Sequence, residues 1–176
     1  TLVPLFALHT DLYRTYVDRR VFSLAAHSKE MVSSLVRIYV ENGGATEVAS
    51  RALTSLGSYL QDANLRAGST SLFSNALELN PQEAAALIGL AAMLEKFSDL
   101  QGSVQSLREL VAFSPDDGEA LLRLGVDLCR SGRGRQGRQV LRHLLETPAS
   151  PWILRLAYES LATSLLDESG LGDALA

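Results

Sequence analysis

Apolar and small residues recur from Leu53 to Pro115 in a pattern written twice at an interval of 34 residues. The first copy is Leu53, Leu56, Gly57, Leu60, Ser69, Phe73, Ala76 and Pro81. The second is Leu87, Leu90, Ala91, Leu94, Ser103, Leu107, Leu110 and Pro115, and a third runs Leu121, Leu124, Gly125, Leu128, Gly137, Leu141, Leu144. Leu53, Leu56 and Leu60 share one face of a helix. Gly57 and Ser69 are small, which lets two helices approach closely, and Phe73 fills the groove beside that contact. Asn80 and Pro81 stop the second helix, because proline has no amide hydrogen and biases the residue before it away from helix. One such pair cannot bury its own apolar face, so successive pairs must stack.

The same reading applied in order predicts about ten helices and no sheet, since Val and Ile never alternate over a strand length. Leu5, Leu8, Leu12 and Tyr16 mark a first amphipathic helix. Val21, Ala25, Ser28, Val32, Leu35 and Tyr39 then hold one face for about five turns, until Asn42, Gly43 and Gly44 end it. Helices follow over 45–62, 67–80, 83–97, 100–113, 118–130 and 135–146. Asp116 and Asp117 stand where a carboxylate can cap the free amides of a helix start. The turn Pro148, Ala149, Ser150, Pro151 interrupts the rhythm, and a phase-shifted fourth copy resumes at Tyr158, Leu161, Ala162, Leu165 and Ala174. This divides the chain into 1–44, a degenerate N-terminal helical hairpin or cap, and 45–176, three complete repeats and a truncated fourth. A start at Thr1 without methionine and a stop at Ala176 inside the pattern point to a piece cut from a longer protein.

A 34-residue period, with a large-x2-Leu-small-x2-large helix followed by a small-x3-large helix, resembles the tetratricopeptide repeat. The resemblance covers residues from about Ser50 onward and is poor over the first 44. It implies an all-α fold, a right-handed superhelical solenoid of antiparallel helix pairs. It also implies a protein-interaction scaffold, in which the first helices of successive pairs line a concave groove that holds a partner segment. Carried onto this sequence, the groove residues are Arg51, Thr54, Ser55 and Ser58 from the first repeat and Ala85, Ile88, Gly89 and Ala92 from the second. The third supplies Glu119, Leu122, Arg123 and Val126, and the fourth Leu156, Glu159, Ser160 and Thr163. Family members that grip the C-terminal carboxylate of heat-shock chaperones use Lys and Asn in the first repeat, Asn in the second, and Lys with Arg in the third. Here Thr54 and Ser58, Gly89, and Glu119 with Arg123 stand there, and only Arg123 fits. The expected ligand is instead an apolar or amphipathic protein or peptide segment, because Ala85, Ile88, Ala92, Leu122 and Val126 give an apolar floor edged by Arg51, Arg123 and Glu119.

Composition narrows the picture only at its margins. A chain of 176 residues, 47% hydrophobic and 20% charged, is long enough for a continuous core. A formal net charge of −4 argues against nucleic acid as a general partner. No apolar run is long enough to span a membrane. The single cysteine, Cys129, excludes an internal disulfide and fits a reducing, cytoplasmic compartment. The excess of arginine over lysine points to a GC-rich, bacterial gene.

Candidate chemistry is thin. Gly132-Arg133-Gly134-Arg135-Gln136-Gly137 matches the dinucleotide fingerprint, but that motif requires a strand to deliver the turn, and here a helix does. In the repeat reading Gly132 ends a helix, Gly134 lies in the turn and Gly137 is a helix contact. Arg123, Arg130, Arg133, Arg135, Arg138 and Arg142 read either as an anion site or as a solvated face, and the solvated face is the simpler reading. His9, His27 and His143 sit in three different helices without metal-ligand spacing. Cys129 lies late in a helix, away from the amide-rich start that would activate a thiol. Acidic residues are scattered, with no pair expected in a pocket. No catalytic, cofactor-binding or metal-binding residue is therefore assigned. Two alternatives to the scaffold remain: a regulatory or assembly module of an enzyme whose catalytic domain lies elsewhere, and a solenoid that self-associates through exposed repeat ends.

Overall fold

The computed structural model describes residues 22–62 and 65–169, together with 11, 12 and 15. These contain eight helices and no strand: α1 (Phe22–Glu41), α2 (Thr46–Asp62), α3 (Arg66–Leu79), α4 (Ala84–Lys96), α5 (Leu100–Phe113), α6 (Gly118–Arg130), α7 (Gly134–Glu146) and α8 (Pro151–Ser169). Leu12 is helical, whereas Leu5, Leu8, Tyr16 and Ala174 lie outside the described residues. The chain forms two compact units, residues 1–89 and 90–176, with the division inside α4.

In the first unit α2 packs on α3. The residues in contact are those of the apolar pattern: Leu53, Leu56, Leu60, Phe73 and Ala76 are all buried. The close approach has two parts. Ser69 Oγ donates to the Gly57 carbonyl across the hairpin at 3.0 Å. Phe73 then fills the space left by two glycines, since a Cβ on Gly57 would stand 2.8 Å from its ring and one on Gly89 only 2.3 Å. Gly89, which the repeat resemblance assigns to the groove, is thus buried against the Phe73 ring.

In the second unit α5, α6, α7 and α8 pack in sequence, and α8 also touches α6. One apolar cluster contains Ala91, Val104, Leu107, Leu124 and Leu128. A second gathers Leu121, Leu122, Leu141, Leu144, Ile153 and Ala157. The α6–α7 contact repeats the α2–α3 one with tighter parts: a Cβ on Gly137 would lie 2.4 Å from Cys129 Sγ and 2.5 Å from the Gly125 carbonyl oxygen. Cys129 is half-buried at this contact.

Helix ends follow local chemistry. Gly43 (φ 82°) and Gly132 (φ 79°) take the left-handed conformation. Each closes its helix with paired bonds, Gly43 N–H to Val40 O and Gly44 N–H to Tyr39 O, and Gly132 N–H to Cys129 O and Arg133 N–H to Leu128 O. Ser98, one period before Gly132, adopts the same backbone at φ 64° with the same two bonds, to Glu95 O and Leu94 O. Asp117 caps α6, its Oδ1 accepting from Ala120 N–H at 3.0 Å, and Asp99 caps α5 in the same way through Gly102 N–H. Gly134 is the first residue of α7 and not part of the turn.

The fourth copy departs from the expected phase. Helix α8 begins at Pro151, a residue suited to the first helical position. It buries Ile153, Ala157 and Ser164. Tyr158 is 62% exposed and Leu165 43%, while Leu161 is only partly packed. The buried face thus lies about one residue, roughly 100° of helix rotation, from the stripe that the repeat pattern assigns to the core.

Candidate partner-binding cleft

Helix α6 places Glu119, Leu122, Arg123 and Val126 along one stripe, because these positions recur at three- and four-residue spacing. Helix α8 adds Trp152 and Leu156, again four apart. Together with Glu95 from the end of α4 and with Asp127, these side chains line a cleft of about 310 Å³. Its floor is apolar: Leu122 is buried, Val126 and Leu156 half-buried, and Trp152, at the rim, 53% exposed.

Charge is unevenly distributed along the lining. The Arg123 guanidinium donates through Nε to Glu119 Oε1 at 3.2 Å. Its two terminal nitrogens lie 3.1 Å from Glu119 and 3.6 Å from Glu95 Oε1. The second distance makes an ion pair but not a hydrogen bond. Glu95 Oε1, itself buried, accordingly receives no hydrogen bond. Asp127 is 1% exposed; it accepts from Ser103 Oγ at 2.5 Å and is approached by Arg130 at 3.5 Å. Burial, followed by the neighbouring Asp127 charge, raises the Glu95 carboxyl above its ordinary value, against the opposing pull of Arg123 and Arg130. Glu95 and Asp127, 32 positions apart, are a carboxylate pair in a pocket, which the scattered acidic residues gave no reason to expect.

The groove positions carried over from the repeat divide into several sets. Glu119, Leu122, Arg123, Val126 and Leu156 meet in the cleft. Glu159, Ser160 and Thr163 line a separate hollow of about 710 Å³ between α8 and the α6–α7 turn, which Val126 also borders. Ala92 is half-buried and lines neither. Within the first unit Ala85 is exposed and Ile88 half-buried. Arg51 is exposed, with Nε donating to Glu47 O. Ser58 is exposed and donates to Thr54 O, and Thr54 is buried and donates to Ser50 O. Three cleft residues are absent from the carried-over set: Glu95, Asp127 and Trp152. Each lies one helical step beyond a residue in it, after Ala92, after Arg123 and before Leu156. Extending the stripe by a turn would have found all three.

The arginine-rich segment is not wholly a solvated face. Arg138 is only 7% exposed. Its guanidinium donates to Ser164 Oγ at 3.2 Å and pairs with Glu168 at 2.5 Å, tying α7 to α8 along the larger hollow. Arg142 is exposed. The glycine motif, Gly132 to Gly137, ends α6, opens α7 and supplies the close helix contact. His143 is exposed, and no group of three or more potential metal-ligating side chains converges among the described residues. No described helix is long and apolar enough to cross a membrane.

No family model and no curated protein matches the sequence. Solved structures do. A tetratricopeptide repeat protein from Parabacteroides merdae superposes with a TM-score of 0.69 at 16% identity, over 92% of this chain and 60% of that one. The fold is that of the tetratricopeptide repeat. A crystal structure of MamA matches with a TM-score of 0.64 at 16% identity, covering 90% of this chain and 85% of the other. A further MamA structure gives 0.61 at 16% identity over 94% and 87%. Identities this low establish the repeat fold and leave the ligand to be argued from the residues of the cleft.

Proposed function

We propose that this chain is a protein-interaction scaffold, not an enzyme, and that the cleft on α6 and α8 holds an apolar or amphipathic segment of a partner protein. The observation that carries this reading is one continuous lining in which Leu122, Val126, Leu156 and a half-exposed Trp152 are rimmed by Glu119 and Arg123. Apolar surface framed by charge is what a helix or extended segment buries on docking, and tryptophan is enriched at the energetic centres of such contacts. The fold supports the reading, since repeat pairs present adjoining helices as an extended binding surface.

Trp152 is the only tryptophan in the chain, so its fluorescence reports on the cleft alone. A peptide that binds as proposed shifts Trp152 emission, and Val126→Glu abolishes the shift while leaving the helical circular dichroism intact. Binding that leaves Trp152 emission unchanged and survives Val126→Glu would place the interaction elsewhere. A second reading, self-association, is favoured by the outer face of α8, where Tyr158, Leu165 and Leu166 are exposed at helical spacing. Light scattering separates the two: a dimer lost on Tyr158→Glu supports self-association, and a concentration-independent monomer removes it.

A further inference from the structure

We infer that the cleft selects a partner segment carrying a lysine or arginine, whose aliphatic stem lies on Trp152 and Leu122 and whose charge meets Glu95 and Asp127. This rests on the cleft being the partner site and adds the chemistry of the residue that enters it.

The lining holds three carboxylates, Glu95, Glu119 and Asp127, and one cation, Arg123. Arg123 is already shared between Glu119 and Glu95, closer to the former by 3.1 Å against 3.6 Å. Arg130 reaches Asp127 from outside the lining, and its side chain is 53% exposed. The inner end of the cleft is therefore short of positive charge. It is also short of donors, since the buried Glu95 Oε1 accepts no hydrogen bond. A buried carboxylate oxygen without a donor is costly, and an incoming ammonium or guanidinium supplies donor and charge together. A neutral amide would supply only the first. The walls suit the rest of such a side chain: long basic residues lay their methylene stems on apolar surface, and a cation passing the face of a tryptophan gains further attraction. An acidic ligand would meet three carboxylates at close range.

Burial of Glu95 beside Asp127 also gives the interaction a pH signature. The groups facing Glu95 are Asp127, Arg123 and Arg130, and the first opposes its ionisation while the other two favour it. A cation that binds ionised Glu95 is held more tightly as pH rises through the raised Glu95 range.

The test begins with a random heptapeptide display library selected on the full chain, followed by titration of the enriched peptides against Trp152 fluorescence. The expected peptides carry an apolar flank and a lysine or arginine, and replacing that residue by norleucine weakens binding roughly tenfold. Glu95→Gln weakens the basic peptide by about the same factor and leaves the norleucine peptide unchanged, as a coupled pair requires. Should Glu95→Gln not fold, the unmodified protein answers instead: the basic peptide binds more tightly as pH rises above the ordinary carboxyl value of 4.5, and the norleucine peptide does not. Enriched peptides that shift Trp152 emission without any basic preference, or with equal loss for both peptides in Glu95→Gln, overturn this inference and leave the cleft as a partner site. A selection that yields no peptide able to shift Trp152 emission overturns both.

Discussion

Helices α6 and α8 carry similar apolar stripes and meet opposite fates. In α6 the stripe Leu121, Leu124, Gly125 and Leu128 is buried throughout. In α8 the corresponding stripe leaves Tyr158, Ala162 and Leu165 exposed, and of its members only Leu161 packs, half-buried, against the core. The difference lies in the neighbour, not in the stripe. Helix α7 brings Gly137, Leu141 and Leu144 against α6, a small residue that allows contact and two large ones that fill it. Among the described residues no helix follows α8 to do the same. What packs α8 into the second unit is a different face, carrying Ile153 and Ala157. Periodicity shows which residues lie on one side of a helix; only a neighbour turns that side into core.

Truncating one leucine on each stripe separates the two helices most clearly. Leu121→Ala removes a fully enclosed side chain and is expected to cost about 2–5 kcal/mol in denaturant unfolding, whereas Leu165→Ala should stay within about 0.5 kcal/mol. Equal losses would mean that α8 is covered after all.

The next test is of the neighbour. Gly137→Leu drives a side chain into Cys129 and the Gly125 backbone and should destabilise by roughly 1–3 kcal/mol or more. Gly134→Ala meets the end of the Arg138 side chain at 3.0 Å and Ser164 Oγ at an ordinary 3.7 Å, and should cost about 1 kcal/mol or less. A reversed order would put the decisive contact at the start of α7, not across the α6–α7 face.

A smaller effect sharpens the comparison at the helix stops. Ser98 occupies the seat that Gly132 fills one repeat later, and a left-handed backbone is unfavourable for a residue with a Cβ. Ser98→Gly should therefore stabilise the protein by roughly 1 kcal/mol, read as a higher midpoint of thermal unfolding. No gain would show that the Ser98 backbone is held without strain.

The smallest expected effect concerns pH. A carboxyl raised in the folded state contributes stability that is complete below its ordinary value of 4.5 and lost as pH rises through the raised value. Glu95→Gln removes that loss, so its stability should fall less than that of the unmodified protein as pH increases above 4.5. Identical slopes for the two proteins would mean that Glu95 titrates as it does in the unfolded chain.

Legible in the residue order alone were the helices along the repeats, the close contacts at Gly57 with Ser69 and at Gly125 with Gly137, the glycine stops at Gly43 and Gly132 and the Asp117 cap. Each depends on interactions a few residues apart or on a pattern repeated at a fixed interval, and both are legible in one dimension. Most of the cleft stripe on α6 was legible for the same reason. The tertiary structure alone decided that Glu95 meets Asp127, that Gly89 faces Phe73 and that Arg138 reaches Ser164. These partners lie 32, 16 and 26 positions apart. It also decided the phase of α8, since the proline turn before it resets the helix start and no local preference says which of two apolar faces turns inward. Contacts between helices depend on how far each has rotated about its axis, and a single step of roughly 100° exchanges core for surface. That rotation is fixed by the packing of neighbouring side chains, which the order of residues does not state.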